Sequence, residues 1–354
     1  MLNIKIEFTA NKKEKPAANK LGFGNFFTDH MFIVDYTEGK GWYDPRIIPY
    51  QSISLDPAAK VFHYGQTVFE GLKAYITKEN QVQLFRPESN FKRLNSSNDR
   101  LCIPVINEAL ALEALKKLIA VDREWIPNEP GTSLYIRPFI IATDPCLGVA
   151  SSKSFQFIMI MCPVGSYYKE GILPVKILVE EHYVRAVPGG TGGAKTAGNY
   201  ASSLKGQELA NKGGYSQTLW LDGKENRYVE EVGSMNIFFK INGTIVTPEL
   251  NGSILAGITR DSMIQLLQSK NIPIEERRIS IDEVVDAYHK GTLQEAFGTG
   301  TAAVISPIGE LKWKNEKILI NQGEMGEVTQ MLYETLTGIQ YGTVEDSFGW
   351  TVKL

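Results

Sequence analysis

The sequence predicts a mixed α/β protein of the α+β class, built from two domains. Its 354 residues suffice for two hydrophobic cores. Runs typical of strands and of helices are interspersed along the whole chain. Several strand runs follow one another at hairpin spacing, which favours much antiparallel sheet over a regular alternation of parallel strands and helices.

The first domain is predicted to cover residues 1–164. Alternating apolar residues indicate an edge strand within residues 1–9. Four strand-like runs follow: "MFIVDYT", "QVQLFR", "SLYIRPFIIA" and "FQFIMIMC". Among them, "NEALALEALKKLIAVDREWI" has helical periodicity. The stretch "VGSYYKEGILP" is rich in turn formers, so residues 165–174 are interpreted as an interdomain loop.

The second domain is predicted over residues 175–354. Strands are expected in "VKILVEE", "SQTLWL", "MNIFFK" and "TIVT", with a hairpin turn at Asn242-Gly243. Helices are expected over residues 199–212, 259–269, 281–289 and 324–337.

Composition excludes several classes of protein. A net charge of −3 leaves no excess of basic residues for binding nucleic acid. The cysteines Cys102, Cys146 and Cys162 form no close pair and the four histidines are scattered, so neither a disulfide framework nor a metal site is expected. The beginning of the chain resembles no signal or transit peptide, and no apolar run is long enough to span a membrane. We therefore expect a cytoplasmic protein with no membrane partner.

The stretch "GGTGGAKTAGNYASSLKGQE" places Lys195 between a glycine-rich run and a predicted helix. As a nucleotide-binding loop it departs from G-x-x-x-x-G-K-[ST] at Ala194, and the polar "HYVRAVP" separates it from the preceding strand. A solvated lysine on a surface loop is the ordinary alternative. The third interpretation is a lysine that bonds covalently to pyridoxal phosphate (PLP). That cofactor needs an amine for its aldehyde, a partner for its ring nitrogen and an anion site. Candidates for all three occur in this chain, which favours the third interpretation.

The chain resembles branched-chain amino acid aminotransferases, which are fold-type IV PLP enzymes. Seven motifs occur in order: "FHYGQTVFEGLKAY", "LFRPESNFKRL", "LYIRPFI", "AKTAGNYA", "EVGSMNIF", "LNGSILAGITRDS" and "FGTGTAAVISP". The resemblance extends over nearly the whole chain and fits the longer form of the family, with "FTDHM" and "LFRP". It implies a smaller N-terminal α/β sandwich, a larger C-terminal pseudo-barrel domain that anchors PLP, and a homodimer with the site near the interface.

The resemblance implies a role for each cofactor contact. Lys195 is the catalytic Schiff-base lysine, and Tyr200 resembles the tyrosine that hydrogen-bonds the phenolic oxygen. Of the doublet Glu230-Glu231, the second is expected at the ring nitrogen, because the family's carboxylate directly precedes Val-Gly.

The phosphate has several predicted partners. Backbone amides of Ile258 and Thr259 open a predicted helix, where free N–H groups and the helix dipole favour an anion. Thr259 could equally be only a helix cap. Thr301 adds a hydroxyl, and the family's arginine matches Arg93 rather than Arg86.

The substrate contacts also follow from the resemblance. An aromatic side-chain pocket is implied at Phe23, Tyr64, Phe69, Tyr135 and Tyr167. In "LYIRP", Tyr135 and Arg137 should share one face of a strand, with Arg137 available for the second carboxylate of glutamate. The α-carboxylate is expected on the amides of Ala302 and Ala303, opposite Ser234.

The implied activity is amino-group exchange between leucine, isoleucine or valine and 2-oxoglutarate, with ping-pong kinetics. D-amino acid transaminases and aminodeoxychorismate lyases share the lysine and glutamate, but "LYIRP" and the aromatic set fit them poorly. A non-catalytic paralogue would be expected to have lost Lys195 or Glu231. Mammalian members carry a CxxC pair where this chain has Ala303 and Ser306, so thiol regulation there is not expected.

Overall fold

A computed structural model describes residues 3–165 and 172–354 and confirms the predicted mixed α/β class. The α-helices of these residues are α1 Lys60–Tyr64, α2 Pro87–Arg100, α3 Glu108–Val121, α4 Ala197–Lys212, α5 Ile258–Ser269, α6 Ile281–His289 and α7 Glu327–Gln340. The strands of the first sheet are β1 Lys5–Ile6, β2 His30–Thr37, β3 Gly41–Pro49, β4 Thr67–Phe69, β5 Leu72–Ile76, β6 Val82–Phe85, β7 Ser133–Ala142, β8 Ser154–Val164 and β18 Thr351–Lys353. The strands of the second sheet are β9 Val175–Val179, β10 Gln217–Leu221, β11 Val229–Val232, β12 Met235–Ile241, β13 Thr244–Thr247, β14 Ile274–Glu276, β15 Leu293–Gly300, β16 Val304–Trp313 and β17 Glu316–Leu319.

The chain forms two compact units. Unit 1 comprises Met1–Tyr167, Ala194–Ala197 and Gly338–Leu354, and unit 2 comprises Tyr168–Gly193 and Gly198–Thr337. Residues 338–354, which we expected in the second domain, therefore belong to the first unit, because β18 pairs antiparallel with β6. Much of the predicted interdomain loop, residues 166–171, lies outside the described residues.

Unit 1 contains a sheet with strand order β1-β3-β2-β8-β7-β5-β6-β18, in which β4 also pairs with β7. Helices α2 and α3 bury apolar side chains such as Phe91 and Leu115 against one face, where they meet Leu134 and Ile136 of β7. Successive residues of a strand point to opposite faces. The intervening residues of β7 therefore point to the face away from these helices.

Unit 2 contains a closed barrel. Strands β9, β10, β11, β12, β15 and β16 each pair with two neighbours in a ring, which closes where β16 pairs with β9. The predicted hairpin turn at Asn242-Gly243 is confirmed between β12 and β13, with φ of 50° and 81°. Positive φ at both central residues is the geometry that Asn-Gly favours. Closure of the ring accounts for the predicted pseudo-barrel.

No helix among the described residues combines the length and apolar character needed to cross a membrane.

Candidate active site

Four of the predicted substrate residues lie together in unit 1. Tyr135 and Arg137 occupy the same face of β7, and the guanidinium of Arg137 donates to the Tyr135 hydroxyl at 2.9 Å. Arg137 also lies over the Phe69 ring at 4.7 Å, while the ring of Phe23 meets that of Tyr135 at 4.9 Å. Gly71 makes room for this arrangement, because a Cβ there would lie 2.1 Å from the Tyr135 hydroxyl. The rings of Phe23, Phe69 and Tyr135 thus form an aromatic wall, and the Arg137 guanidinium packs against it.

The charge of Arg137 is not neutralised by a protein carboxylate within the described parts of the chain. Its Nε is buried and has no hydrogen-bond partner there. The guanidinium donates to the Tyr135 hydroxyl and lies over the rings of Phe69 and Tyr135. A buried donor without an acceptor costs free energy. An incoming carboxylate would remove that cost, so the geometry suits an anion-binding position.

Arg93 is bound by a carboxylate that the sequence analysis did not single out, Glu70, which also interacts electrostatically with Lys195. Glu70 is fully buried and accepts two hydrogen bonds from Arg93, at 2.7 and 2.8 Å. Burial alone would raise the pKa of Glu70, but the charges of Arg93 and Lys195 and the hydrogen bonds to it leave that pKa below its usual value. Glu70 is therefore ionised and orients the Arg93 guanidinium in a fixed bidentate geometry.

The backbone around Lys195 is held in place. Its N–H donates to the Ser97 hydroxyl at 2.9 Å, and its carbonyl accepts from the Phe69 N–H at 3.0 Å. The Thr196 hydroxyl donates to the Thr67 carbonyl at 2.7 Å. The lysine Nζ lies 5.1 Å from the centre of the Phe69 ring. Lys195 thus has a fixed backbone beside the aromatic wall.

Two other candidates from the sequence analysis, Arg86 and Tyr64, have contacts outside this group of residues. Arg86, the competitor of Arg93, lies over the Trp350 ring at 5.5 Å. Tyr64 is exposed, and its hydrogen-bond and ring contacts are with the Leu147 carbonyl and His63 rather than with the aromatic wall. Tyr167 lies outside the described residues.

In unit 2, the predicted ring-nitrogen carboxylate is Glu231 on β11. It is buried, forms an ion pair with Arg185 and accepts a hydrogen bond of 3.2 Å from Asn236. The guanidinium of Arg185 also lies 5.8 Å from the centre of the Tyr200 ring. Arg185 therefore links the two predicted cofactor contacts, Tyr200 and Glu231.

The neighbouring Glu230 has different surroundings. It accepts hydrogen bonds from Ser253 and Asn251, and burial raises its pKa although these bonds oppose the shift. Glu231 instead has a cation beside it, the Arg185 guanidinium. The two glutamates of the doublet therefore differ in their partners. Glu231 is paired with a cation, whereas Glu230 is hydrogen-bonded to neutral side chains.

The predicted phosphate amides lie at the beginning of α5. Ile258 is its first residue, Thr259 follows, and the preceding Gly257 provides no side-chain cap. Unbonded N–H groups at such a helix end attract anions through the helix dipole.

The backbone amides predicted to bind the α-carboxylate lie in the turn at Thr301, Ala302 and Ala303, between β15 and β16. Because Asn236 pairs with Thr299, the exposed Ser234 lies at the same end of the barrel as this turn. Val304 directly after the turn has φ of 62°. Positive φ is unusual for a β-branched residue and is often found at functional sites.

Sequence reasoning missed Glu70, Arg185 and Asn236. Glu70 and Asn236 stand inside quoted motifs, "FEGLKAY" and "EVGSMNIF", and Arg185 stands in "HYVRAVP", which was treated only as a polar connection. Each is a buried polar residue, and such residues need a partner. The sequence shows the polar residue but not the partner.

Comparisons with known proteins show which family this chain belongs to. Residues 67–311 match the family described as Amino-transferase class IV. "Branched-chain-amino-acid aminotransferase 2" of Bacillus subtilis (strain 168) is 65% identical over 99% of this chain and 97% of its own. The crystal structure of Escherichia coli branched-chain amino acid aminotransferase superposes with a TM-score of 0.76 at 28% identity, covering 91% of this chain and 98% of that one. The T.th. branched-chain amino acid aminotransferase complexed with N-(5'-phosphopyridoxyl)-L-glutamate gives a TM-score of 0.73 at 25% identity, covering 90% and 97%.

The chain therefore belongs to the class IV aminotransferases and, within them, to the branched-chain amino acid aminotransferases.

Proposed function

We propose that this enzyme uses PLP to exchange an amino group between leucine, isoleucine or valine and 2-oxoglutarate. The proposal is carried by the aromatic wall of Phe23, Phe69 and Tyr135 and by the Arg137 guanidinium that packs against it. The Nε of Arg137 is buried and has no hydrogen-bond partner among the residues that the structure describes. An apolar side chain would pack on the rings, and the second carboxylate of glutamate would pair with the guanidinium. One surface thus serves two unlike substrates.

The residues of the chain fit PLP. Lys195 supplies an amine, Glu231 a carboxylate beside a cation, and α5 an N-terminus without a side-chain cap at Gly257. Arg93 offers a guanidinium oriented by Glu70. When bound, PLP supplies an aldehyde that receives the amino group and a pyridine ring that withdraws electrons from the substrate Cα.

Lys195 is proposed to hold the cofactor and to move the substrate's Cα proton through its Nζ. Both tasks require a side chain that swings while its backbone stays fixed. The hydrogen bonds to Ser97 and Phe69 provide that fixed backbone.

Glu231 is proposed to keep the ring nitrogen of the cofactor protonated. The Arg185 guanidinium and the Asn236 amide both donate to its carboxylate, which favours the negative charge needed for this task. Tyr200 is proposed to bind the phenolic oxygen of the cofactor, and Ile258, Thr259, Thr301 and Arg93 its phosphate. The amides of Ala302 and Ala303, with Ser234, are proposed to bind the α-carboxylate of the substrate.

Initial rates test the proposal. With leucine and 2-oxoglutarate, double-reciprocal plots should be parallel, and 4-methyl-2-oxopentanoate and glutamate should form in equal amounts. Transfer only from D-amino acids would contradict the proposal and favour the D-amino acid transaminases.

Replacing Arg93 should weaken PLP retention far more than replacing Arg86. Because Arg93→Met alone would take away the guanidinium that forms two hydrogen bonds with the buried Glu70 carboxylate, the comparison is made in a Glu70→Gln background. We expect PLP to dissociate from Arg93→Met/Glu70→Gln about tenfold or more faster than from Glu70→Gln, through loss of a charged hydrogen bond to phosphate. Dialysis followed by PLP quantification measures the loss.

Arg86→Met in the same background is the matched control and should retain PLP as well as Glu70→Gln alone. Equal retention by the Arg86 and Arg93 variants would remove Arg93 from the phosphate site.

We also propose that the protein is a homodimer, formed through an exposed apolar surface of unit 1. This surface comprises Phe62, Leu147 and Val149, which are 62%, 64% and 86% exposed. The Tyr64 hydroxyl joins its two segments by donating to the Leu147 carbonyl. Such a cluster of large exposed apolar side chains is typical of a protein interface.

Val149→Glu should weaken dimerisation by about 100-fold, because an unpaired carboxylate would be buried at the interface. Sedimentation equilibrium measures the dimer dissociation constant. Val105→Glu is the matched control, since Val105 is 63% exposed in the loop between α2 and α3. Equal dissociation constants for the two variants would exclude this surface as the interface.

A further inference from the structure

The side chain of Asn236 joins two parts of unit 2 that carry different proposed roles. Asn236 is the second residue of β12 and is buried. Its Nδ2 donates to Glu231 Oε1 at 3.2 Å and to the Leu255 carbonyl at 2.9 Å. Because both partners are acceptors, only the amide nitrogen can face them, and the orientation of the amide is fixed.

The amide oxygen of Asn236 faces the beginning of α5. A Cβ on Gly257 would lie only 2.0 Å from Asn236 Oδ1. Gly257 has φ of −68° and ψ of 130°, a conformation open to any residue. Glycine is thus needed here for close approach rather than for backbone freedom. This contact explains why the N-cap of α5 is a glycine and lacks a capping side chain.

One amide therefore touches both the carboxylate of Glu231 and the segment Leu255–Gly257, which leads into the helix end proposed to bind phosphate. PLP is a rigid ring with its nitrogen and its phosphate at fixed positions. A site that binds both the ring nitrogen and the phosphate must hold its carboxylate and its anion-binding groups at a matching distance. A small displacement of either group therefore lowers the affinity for the cofactor.

We propose that Asn236 is a positioning residue that couples the ring-nitrogen carboxylate Glu231 to the phosphate-binding end of α5. The inference rests on the proposed function, because it requires PLP to occupy both positions. Asn236 touches neither the substrate nor the reacting atoms. Its contacts fix the position of the Glu231 carboxylate relative to the beginning of α5.

The test compares binding of PLP with binding of pyridoxal, which lacks the phosphate. Both dissociation constants are measured on the protein after removal of its cofactor. The dissociation constant of pyridoxal divided by that of PLP reports the contribution of the phosphate. In Asn236→Ala this ratio should fall by about tenfold, because the hydrogen bonds that hold Glu231 and the segment before α5 in place are lost. Asn236→Asp should lower the ratio further, because a carboxylate oxygen would then face two other acceptors, the Glu231 carboxylate and the Leu255 carbonyl.

Gly257→Ala provides a second variant that keeps the asparagine. Its Cβ should displace the Asn236 side chain and lower the ratio to a similar extent. Once the asparagine is removed the added methyl group has room, so Asn236→Ala/Gly257→Ala should match Asn236→Ala alone. Such non-additivity is the mark of two residues acting through one contact. Asn211→Ala, at an exposed position of α4, is the control and should bind like the unsubstituted protein.

Two results would overturn the inference: an unchanged ratio in Asn236→Ala, or losses that multiply in the double variant. Either result, with normal PLP binding by the unsubstituted protein, leaves the proposed function standing. Failure of the unsubstituted protein to bind PLP would overturn both.

Discussion

Lys195→Ala should abolish leucine–2-oxoglutarate exchange, the largest effect expected from any single substitution in this chain. The proposal gives this one amine two tasks, holding the cofactor and moving the Cα proton. Loss of a group that serves as both nucleophile and base in an enzyme typically costs about 10⁴–10⁶-fold in rate. Turnover is measured by the glutamate formed from leucine and 2-oxoglutarate.

Lys205→Ala is the matched control. Lys205 lies on α4, ten residues further on, and its ammonium forms an exposed ion pair with Glu208. This variant should keep full activity. Substantial exchange by Lys195→Ala, with PLP bound, would assign the chemistry to another residue.

Arg137→Met should damage the 2-oxoglutarate half-reaction much more than the leucine half-reaction. The guanidinium is proposed to pair with the second carboxylate of glutamate, and methionine keeps an apolar chain of similar length. Loss of a buried charge pair typically costs about 2–5 kcal/mol. That corresponds to roughly 30-fold to several thousand-fold at 1.4 kcal/mol per decade. Single-turnover spectra of each half-reaction, followed at the cofactor, separate the two effects.

Arg137 could instead serve only to brace β7 through its hydrogen bond to Tyr135. In that case both half-reactions and the melting temperature should fall together in Arg137→Met. Arg227→Met controls for loss of an arginine, since Arg227 is half exposed and bonded to Asp282. An equal loss for both substrates would remove Arg137 from the substrate site.

The features that could be predicted from the sequence are those that depend on a local pattern of residues. The alternation in "LYIRP" predicted that Tyr135 and Arg137 share one face of a strand, and β7 shows this. The helix predicted over residues 199–212 forms as Ala197–Lys212, and residues 281–289 form α6 at the predicted bounds. These features depend only on the period of side chains along one element, and that period can be read from consecutive residues.

Pairings between distant segments could not be predicted in the same way. The partner of Arg93 is Glu70, on the short segment between β4 and β5, and the partner of Glu231 is Arg185, far from it in sequence. Both contacts depend on strand order and loop paths, which no local pattern records. The C-terminal strand β18 was assigned to the second domain for the same reason, since its pairing with β6 joins segments that are far apart in sequence.

The central claim is that Lys195 is the lysine that binds PLP covalently. Chemically, Lys73 is its strongest competitor, because burial lowers the pKa of this lysine to about 8 and so favours the neutral, nucleophilic amine. Reduction of the holoenzyme with borohydride, followed by mass mapping of its peptides, identifies the modified residue. The account predicts a pyridoxyl group on Lys195, and prior incubation with leucine should prevent the labelling. A label on Lys73, or no labelled lysine in a protein that contains PLP, would contradict it.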